Sequence, residues 1–271
     1  MLGPAKQNEI HPSAAVEPSA CLGQDVKIGA YAVIGGDVVL GDGVKIHPHV
    51  VIGGQTEIGA GTEIFPFASI GLQPQDLKYH GEPSRLVIGC RNMIREHVTM
   101  NPGTEGGGLV TSVGDDCLFM VGAHVAHDCQ VADNVIMANN ATLAGHVTVG
   151  SFAILGGLSA VHQFARIGDH AIVGGMTGVE HDVIPFGSVK GNRARLAGLN
   201  IIGIRRRGFT REQIDGLRRA YKALFGPVGT LQERLDAVAE AESGEVAVME
   251  IVDFIRADSN RSICQPRGNS D

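Results

Sequence analysis

The sequence predicts an all-β solenoid built from six-residue turns, followed by a small α-helical domain. Three observations carry that expectation. An aliphatic residue recurs at every sixth position: Ile10, Val16, Leu22, Ile28, Ile34, Leu40, Ile46, Ile52, Ile58, Ile64 and Ile70. The fifth residue of each hexad is small or β-branched, as at Ala14, Ala20, Val26, Ala32 and Val38, and the second is often Gly, as at Gly23, Gly29, Gly35 and Gly41. From Thr210 the pattern changes to that of capped helices. A six-residue period is neither that of a helix nor that of a simple strand. One aliphatic and one small inward residue per unit read as a short strand plus a turn, with Gly, Asn and Asp tolerating positive φ at the corners. Such units stack, and each coil buries its neighbour's aliphatic row.

The hexad phase resumes at Ile88, Ile94 and Met100. It restarts, shifted by one, at Val113 and runs through Phe119, Val125, Val131, Met137, Leu143, Val149, Leu155, Val161, Ile167, Val173 and Val179, ending near Pro185. Residues 71–87 (GLQPQDLKYHGEPSRLV) and 101–112 (NPGTEGGGLVTS) interrupt it. An insertion in a solenoid leaves as a loop, and loops on rigid scaffolds commonly carry function. Residues 1–190 therefore form the repeat domain with its two loops, and 191–271 the helical domain. In the tail, Thr210 caps TREQIDGLRRAYKALF, with Gln213 as its capping-box partner. Further helices are expected near 229–242 and 246–257, and 260–271 are expected to fray.

Composition narrows the function classes. The chain has 271 residues, a formal charge of −7, 4% aromatics and no Trp, so its core is built from Val, Ile, Leu and Ala. The negative charge argues against nucleic acid as a partner. No apolar run is long enough for a membrane span, and MLGPAKQNE lacks the apolar region of a signal peptide. Five cysteines without a C-x-x-C pair fit a reducing cytoplasm better than a disulfide framework.

Titratable groups cluster at GAHVAHDC, residues 122–129. In the hexad 125–130, Val125 and Cys129 take the inward positions and His127 falls between them, so His127 is expected to face outward or to sit at a turn. His124 ends the preceding hexad. A neutral imidazole is abundant at pH 7 and suits general-base work, and Asp128 is placed to hold its tautomer.

The hexads, the two loops and the tail together resemble the hexapeptide-repeat acyltransferases with a left-handed parallel β-helix, and among them the UDP-N-acetylglucosamine O-acyltransferase family. The stretches that carry the resemblance are FASIGLQPQDLKYHGEPSRL, IREHVTMNPGT, AHVAHDC, ANNATLAGHV, AVHQFARIG and NIIGIRRRGFTREQI. The left-handed coiling comes from the resemblance alone. The resemblance implies transfer of a 3-hydroxyacyl chain from acyl carrier protein to the 3-hydroxyl of UDP-N-acetylglucosamine, the first step of lipid A synthesis. It implies His127 as general base with Asp128, and the Gly145 N–H as oxyanion donor. Gln75, Asp76, Lys78, His124, His146, His162, Gln163 and Asn200 match sugar, donor and cleft contacts. Gly175 and Met176 match the place that sets acyl length. No cofactor or metal is implied, since the phosphopantetheine arrives on the carrier protein, and the expected assembly is a homotrimer. Two positions depart from the family pattern: Asn101-Pro102-Gly103-Thr104 stands where His-Arg-Gly-Thr is common, and Arg193 where His is common.

Residues 193–222 hold nine Lys and Arg against Glu212 and Asp215, a local balance of +7 that leaves −14 for the rest. Such asymmetry suggests an anionic partner. Arg206 and Arg207 suit a pyrophosphate, and the helix suits an acidic carrier protein. Competing readings are an acetyl-CoA-dependent transferase, the later N-acyltransferase of the same pathway, which carries an extra N-terminal domain, a scaffolding β-helix, and a γ-carbonic-anhydrase-like zinc protein. The last uses histidines five apart, and no two of the eleven histidines have that separation.

Overall fold

The structure is a computed structural model that describes residues 7–266. Its first part is a three-sided prism. Short strands, mostly of two residues, repeat in turn around the three sides and pair in parallel along its axis, giving sheets of 11, 9 and 8 strands, of which only the last strand of the first sheet is antiparallel among the described residues. Each coil is three hexads, so partners lie 18 residues apart, as in Lys27↔Lys45 and Ile28↔Ile46. The aliphatic residue of each hexad points inward: Ile28, Ile34, Leu40, Ile46 and Ile52 are buried, and so are the small residues Val26, Ala32, Val38, Val44 and Val50. The first row differs. Ile10 is 44% exposed, because no earlier coil covers the N-terminal end of the prism among the described residues.

The coil winds left-handed. Its corners need positive φ, and three columns of corner residues supply it. One runs through Asn134, Phe152, His170 and Phe186, a second through Tyr31, His49, Phe67, His97, Asn140, Leu158 and Met176, and a third through Asp128, His146 and Phe164. Asn and Asp adopt this conformation most readily among non-Gly residues. The aromatic and histidine corners stack on one another, as in Phe152–His170 at 4.9 Å and Phe67–His97 at 5.2 Å between centroids.

Both interruptions leave the prism at the third corner. The first loop is shorter than the sequence suggested: Arg85–Ile88 already form a strand, so the loop is 71–84. The second likewise ends at 109, because Val110–Val113 pair with Arg85–Ile88. These end residues alternate fully buried with less buried side chains, and the ladder reclaims them from the loop. Ile88 pairs with Ile58, 30 positions back, so the first loop adds 12 residues and keeps the phase. Val113 pairs with Ile88, 25 positions back, so the second adds seven and shifts the phase by one.

The sheet continues past the last hexad as a hairpin of Gly187–Lys190 and Arg195–Leu199, which the hexad pattern does not reveal. Four helices follow: α1 (Ile201–Arg206), α2 (Arg211–Leu224), α3 (Leu231–Ala241) and α4 (Val246–Arg256). Thr210 and Thr230 each close a complete capping box, with Gln213 and Glu233. None of the helices is long and apolar enough to cross a membrane. The described part of the expected frayed end is ordered against the prism. Ile263 bridges to Asp182 and Pro266 to Leu196, and Cys264 is buried. Bridging satisfies backbone groups and buries an apolar side chain, which offsets the entropy that would otherwise leave a terminus loose. Residues 267–271 lie outside the described part.

Candidate active site

The coil period assembles the site. At the third corner, residues 18 apart lie above one another, so His127, Gly145 and Gln163 form one column and Asp128, His146 and Phe164 the next. The two loops leave the same corner one and two coils earlier and fold over it. His127 points away from the hydrophobic core, as its hexad position requires, yet it is not an open surface group: its side chain is only 10% exposed. The second loop covers the neighbouring Asp128, and the His146 ring packs edge-on at 5.0 Å.

His127 Nδ1 and Asp128 Oδ2 are 2.8 Å apart. With Nδ1–H donating to the carboxylate, Nε2 is left as a free acceptor, the tautomer a general base needs. The Asp128 carboxylate is 1% exposed and takes two further hydrogen bonds. The Thr104 N–H donates to Oδ1 at 2.8 Å, and the Thr104 hydroxyl donates to Oδ2 at 2.6 Å. The Asp128 N–H donates to Thr111 Oγ1 at 2.7 Å. In the sequence Thr104 stands out only as part of the NPGT stretch, and Thr111 carries no signal of its own. The glycine-rich run between them lets the loop lie on the carboxylate: a Cβ at Gly107 would overlap Asp128.

Gly145 lies directly against the His127 ring, where an added Cβ would come within 2.6 Å of Nε2. Its N–H takes part in no hydrogen bond among the described residues. His146 stacks on Phe164 at 4.4 Å, and its Nδ1 is 3.9 Å from Asp128 Oδ2. Burial lowers the pKa of His146, an effect that the Asp128 charge opposes. Burial also lowers that of His124, helped by His127, and the His124 Nδ1 shares a 2.7 Å hydrogen bond with Thr99 Oγ1. Both rings therefore favour the neutral form beside the dyad. One atom each from His127, Asp128 and His146 lies within 4.8 Å of the others, a spacing a metal ion could also use. Asp128 Oδ2, however, already accepts from both His127 and Thr104.

The first loop reaches this corner as well. Asp76 is close enough for its charge to act on His146, and its Oδ1 accepts the Lys78 N–H. Gln75 and Lys78 are exposed beside it. Asn101, at the departure from the family pattern, is buried. Its amide donates to the carbonyls of Leu72 at 3.0 Å and Gln73 at 3.3 Å, tying the first loop to the second. His162 and Gln163 lie two coils beyond the dyad. Arg261, from the returning C-terminal segment, donates to His162 Nδ1 at 2.7 Å and to the Gln163 carbonyl at 3.1 Å.

The remaining candidates sit at other corners. Asn200 is committed to the fold: its Oδ1 caps α1 by accepting from the Gly203 N–H, and its Nδ2 donates to the His170 carbonyl. Arg207 is anchored too, with its guanidinium over the Phe152 ring and donating to the Phe152 carbonyl at 2.9 Å. Asn200 and Arg207 are thus positioned by contacts at the first corner, where the tail needs partners for its polar groups. Arg206 and Arg193 are exposed. Gly175 and Met176 lie at the second corner, where Met176 is 74% exposed.

A family profile described as "Udp N-acetylglucosamine O-acyltransferase; Domain 2" matches residues 182–264, and one for bacterial transferase hexapeptides matches 22–54 and 111–145. A curated acyl-[acyl-carrier-protein]–UDP-N-acetylglucosamine O-acyltransferase of Methylobacterium radiotolerans is 58% identical over 195 residues, 72% of either chain. The protein of the same description from Rhizobium johnstonii is 46% identical over 262 residues, 97% of this chain and 96% of its own. Among solved structures, the UDP-N-acetylglucosamine acyltransferase from Campylobacter jejuni superposes with a TM-score of 0.91 at 40% identity, covering 96% of this chain and all of that one.

Proposed function

This chain belongs to the UDP-N-acetylglucosamine O-acyltransferase family, and from that premise we infer that it transfers a 3-hydroxyacyl chain from acyl carrier protein to the 3-hydroxyl of UDP-N-acetylglucosamine, the first step of lipid A synthesis. The observation that carries the mechanism is the His127–Asp128 pair with its free Nε2 beside the bare backbone of Gly145.

His127 Nε2 removes the proton of the sugar 3-hydroxyl as its oxygen attacks the thioester carbon. The Gly145 N–H donates to the oxygen of the tetrahedral intermediate; such donors contribute a few kcal/mol. The intermediate collapses, the C–S bond breaks, and the imidazolium returns its proton to the departing pantetheine thiolate. Asp76, Lys78 and Gln75 contact the sugar and donor from the first loop, with His124, His146, His162 and Gln163 along the corner. The phosphopantetheine is part of the donor protein.

The candidates lie on three separate corners of one prism. A homotrimer, in which the third corner of one prism faces another corner of its neighbour, would bring Arg206, Gly175 and Met176 to a dyad they do not reach within one chain. Gly175 then leaves room for the acyl chain that a larger side chain would remove, which favours longer 3-hydroxyacyl donors. All five cysteines are unpaired, which supports a reducing compartment such as the cytoplasm.

The test is an acyl-transfer assay with UDP-N-acetylglucosamine and a series of 3-hydroxyacyl-carrier proteins, with acetyl-CoA as the rival donor. Turnover with the carrier proteins and none with acetyl-CoA is expected. Preference for acetyl-CoA would overturn the donor assignment. Metal analysis of active protein addresses the alternative use of His127, Asp128 and His146 as ligands.

A further inference from the structure

Asp128 is held by more than its histidine. Three hydrogen bonds converge on a carboxylate that is almost wholly buried, and two of them come from one residue, Thr104, by its N–H and its hydroxyl. The hydroxyl shares Oδ2 with His127 Nδ1, so the lone-pair direction left for the imidazole depends on where the Thr104 hydroxyl sits. The loop that carries Thr104 is itself fixed. The Gly103 N–H donates to the Arg85 carbonyl, the Glu105 N–H donates to Glu82 Oε1, and Asn101 reaches into the first loop. Gly103 has no side chain to push the loop away, since a Cβ there would come within 2.8 Å of Asp128 Oδ1. Thr111 holds the same residue from the backbone side, accepting the Asp128 N–H at a corner of positive φ.

We propose that Thr104 is a positioning residue for the general base: its hydroxyl fixes the Asp128 carboxylate and, through it, the orientation and tautomer of the His127 ring. Thr104 touches no substrate in this account. The proposal rests on the acyl-transfer reading above and adds to it that the second loop, rather than the β-helix alone, sets the geometry of the dyad. Misplacing a catalytic group by about 1 Å can cost about 10²-fold in rate.

The experiment is a kinetic cycle with Thr104→Val, Thr104→Ser and Asp128→Asn in the full-length protein. Thr104→Val keeps the N–H donor and the side-chain shape and removes only the hydroxyl. It is expected to lower kcat by about 10- to 10²-fold, with the KM for UDP-N-acetylglucosamine and for acyl carrier protein changed less than threefold. Thr104→Ser should restore kcat to within about threefold of the parent. In the Asp128→Asn background, Thr104→Val should add almost nothing, because residues acting as one unit are not additive. If Thr104→Val left kcat unchanged, raised only KM, or cost the same factor in the Asp128→Asn background, the positioning role would be overturned. Should the valine variant not fold, Thr104→Ala, checked by circular dichroism, carries the same expectations. Full turnover in His127→Ala and Asp128→Asn would instead sink the dyad reading itself. Loss in those two with a normal Thr104→Val would remove only this proposal.

Discussion

Gly145 shows how much one residue constrains the chemistry. Its Cα lies against the imidazole of His127, and no side chain fits between them. Its backbone is not in the positive-φ set, so alanine is sterically allowed there apart from the ring. Gly145→Ala is therefore expected to fold normally while pushing His127 from its position, lowering kcat by at least about 10²-fold. Kinetics set beside a thermal melt would check this. The sequence placed Gly145 by motif resemblance. The reason that it must be glycine lies in a coil-to-coil stacking that only the 18-residue register shows. The reverse holds for Asn200 and Arg207. Their motif was plain, but their partners, His170 and Phe152, are supplied by a distant corner of the prism.

Among elements, the two loops act as one unit. Asn101 is the link, donating from the start of the second loop to two carbonyls of the first. Truncation removes both bonds, each worth about 0.5–1.5 kcal/mol net, from a loop whose Leu72 and Gln73 are otherwise exposed. Asn101→Ala is therefore expected to loosen residues 72–80, seen as faster amide hydrogen exchange there, and to raise the KM for the nucleotide sugar several-fold with a smaller effect on kcat. Unaltered exchange in the first loop would contradict the coupling. The loops' existence was legible from the broken period. Their ends were not, because Arg85–Ile88 and Val110–Val113 extend a ladder whose register depends on strands 25 and 30 residues away. The clamp by Thr104 was hidden for the same reason: it spans 24 residues across a phase shift.

For the whole molecule, the hexad row made the prism legible, because each aliphatic position repeats one inward contact. The docking of the tail was less so, since it is made by unlike residues. Glu250 on α4 is one of these. Burial, helped by the charge of Asp169, pushes its pKa up to about 7, and its Oε1 has no hydrogen-bond partner. The folded state thus binds a proton more tightly than the unfolded chain. Its contribution is complete below the ordinary value near 4.5 and is lost as pH rises through about 7. Glu250→Gln is expected to stabilise the protein at pH 8 by about 1 kcal/mol, discounted for partial exposure, and to make no difference at low pH. Paired thermal melts across that range would show it, and a pH-independent difference would contradict it.

The proposed mechanism turns on His127, held by Asp128, as the base that activates the sugar hydroxyl. Its most direct test is the turnover of His127→Ala with a 3-hydroxyacyl-carrier protein and UDP-N-acetylglucosamine, measured on protein whose fold and assembly match the parent. In that variant kcat is expected to fall by about 10²-fold or more, while the parent yields a product acylated at the 3-oxygen. Near-parental kcat in the folded variant would contradict it.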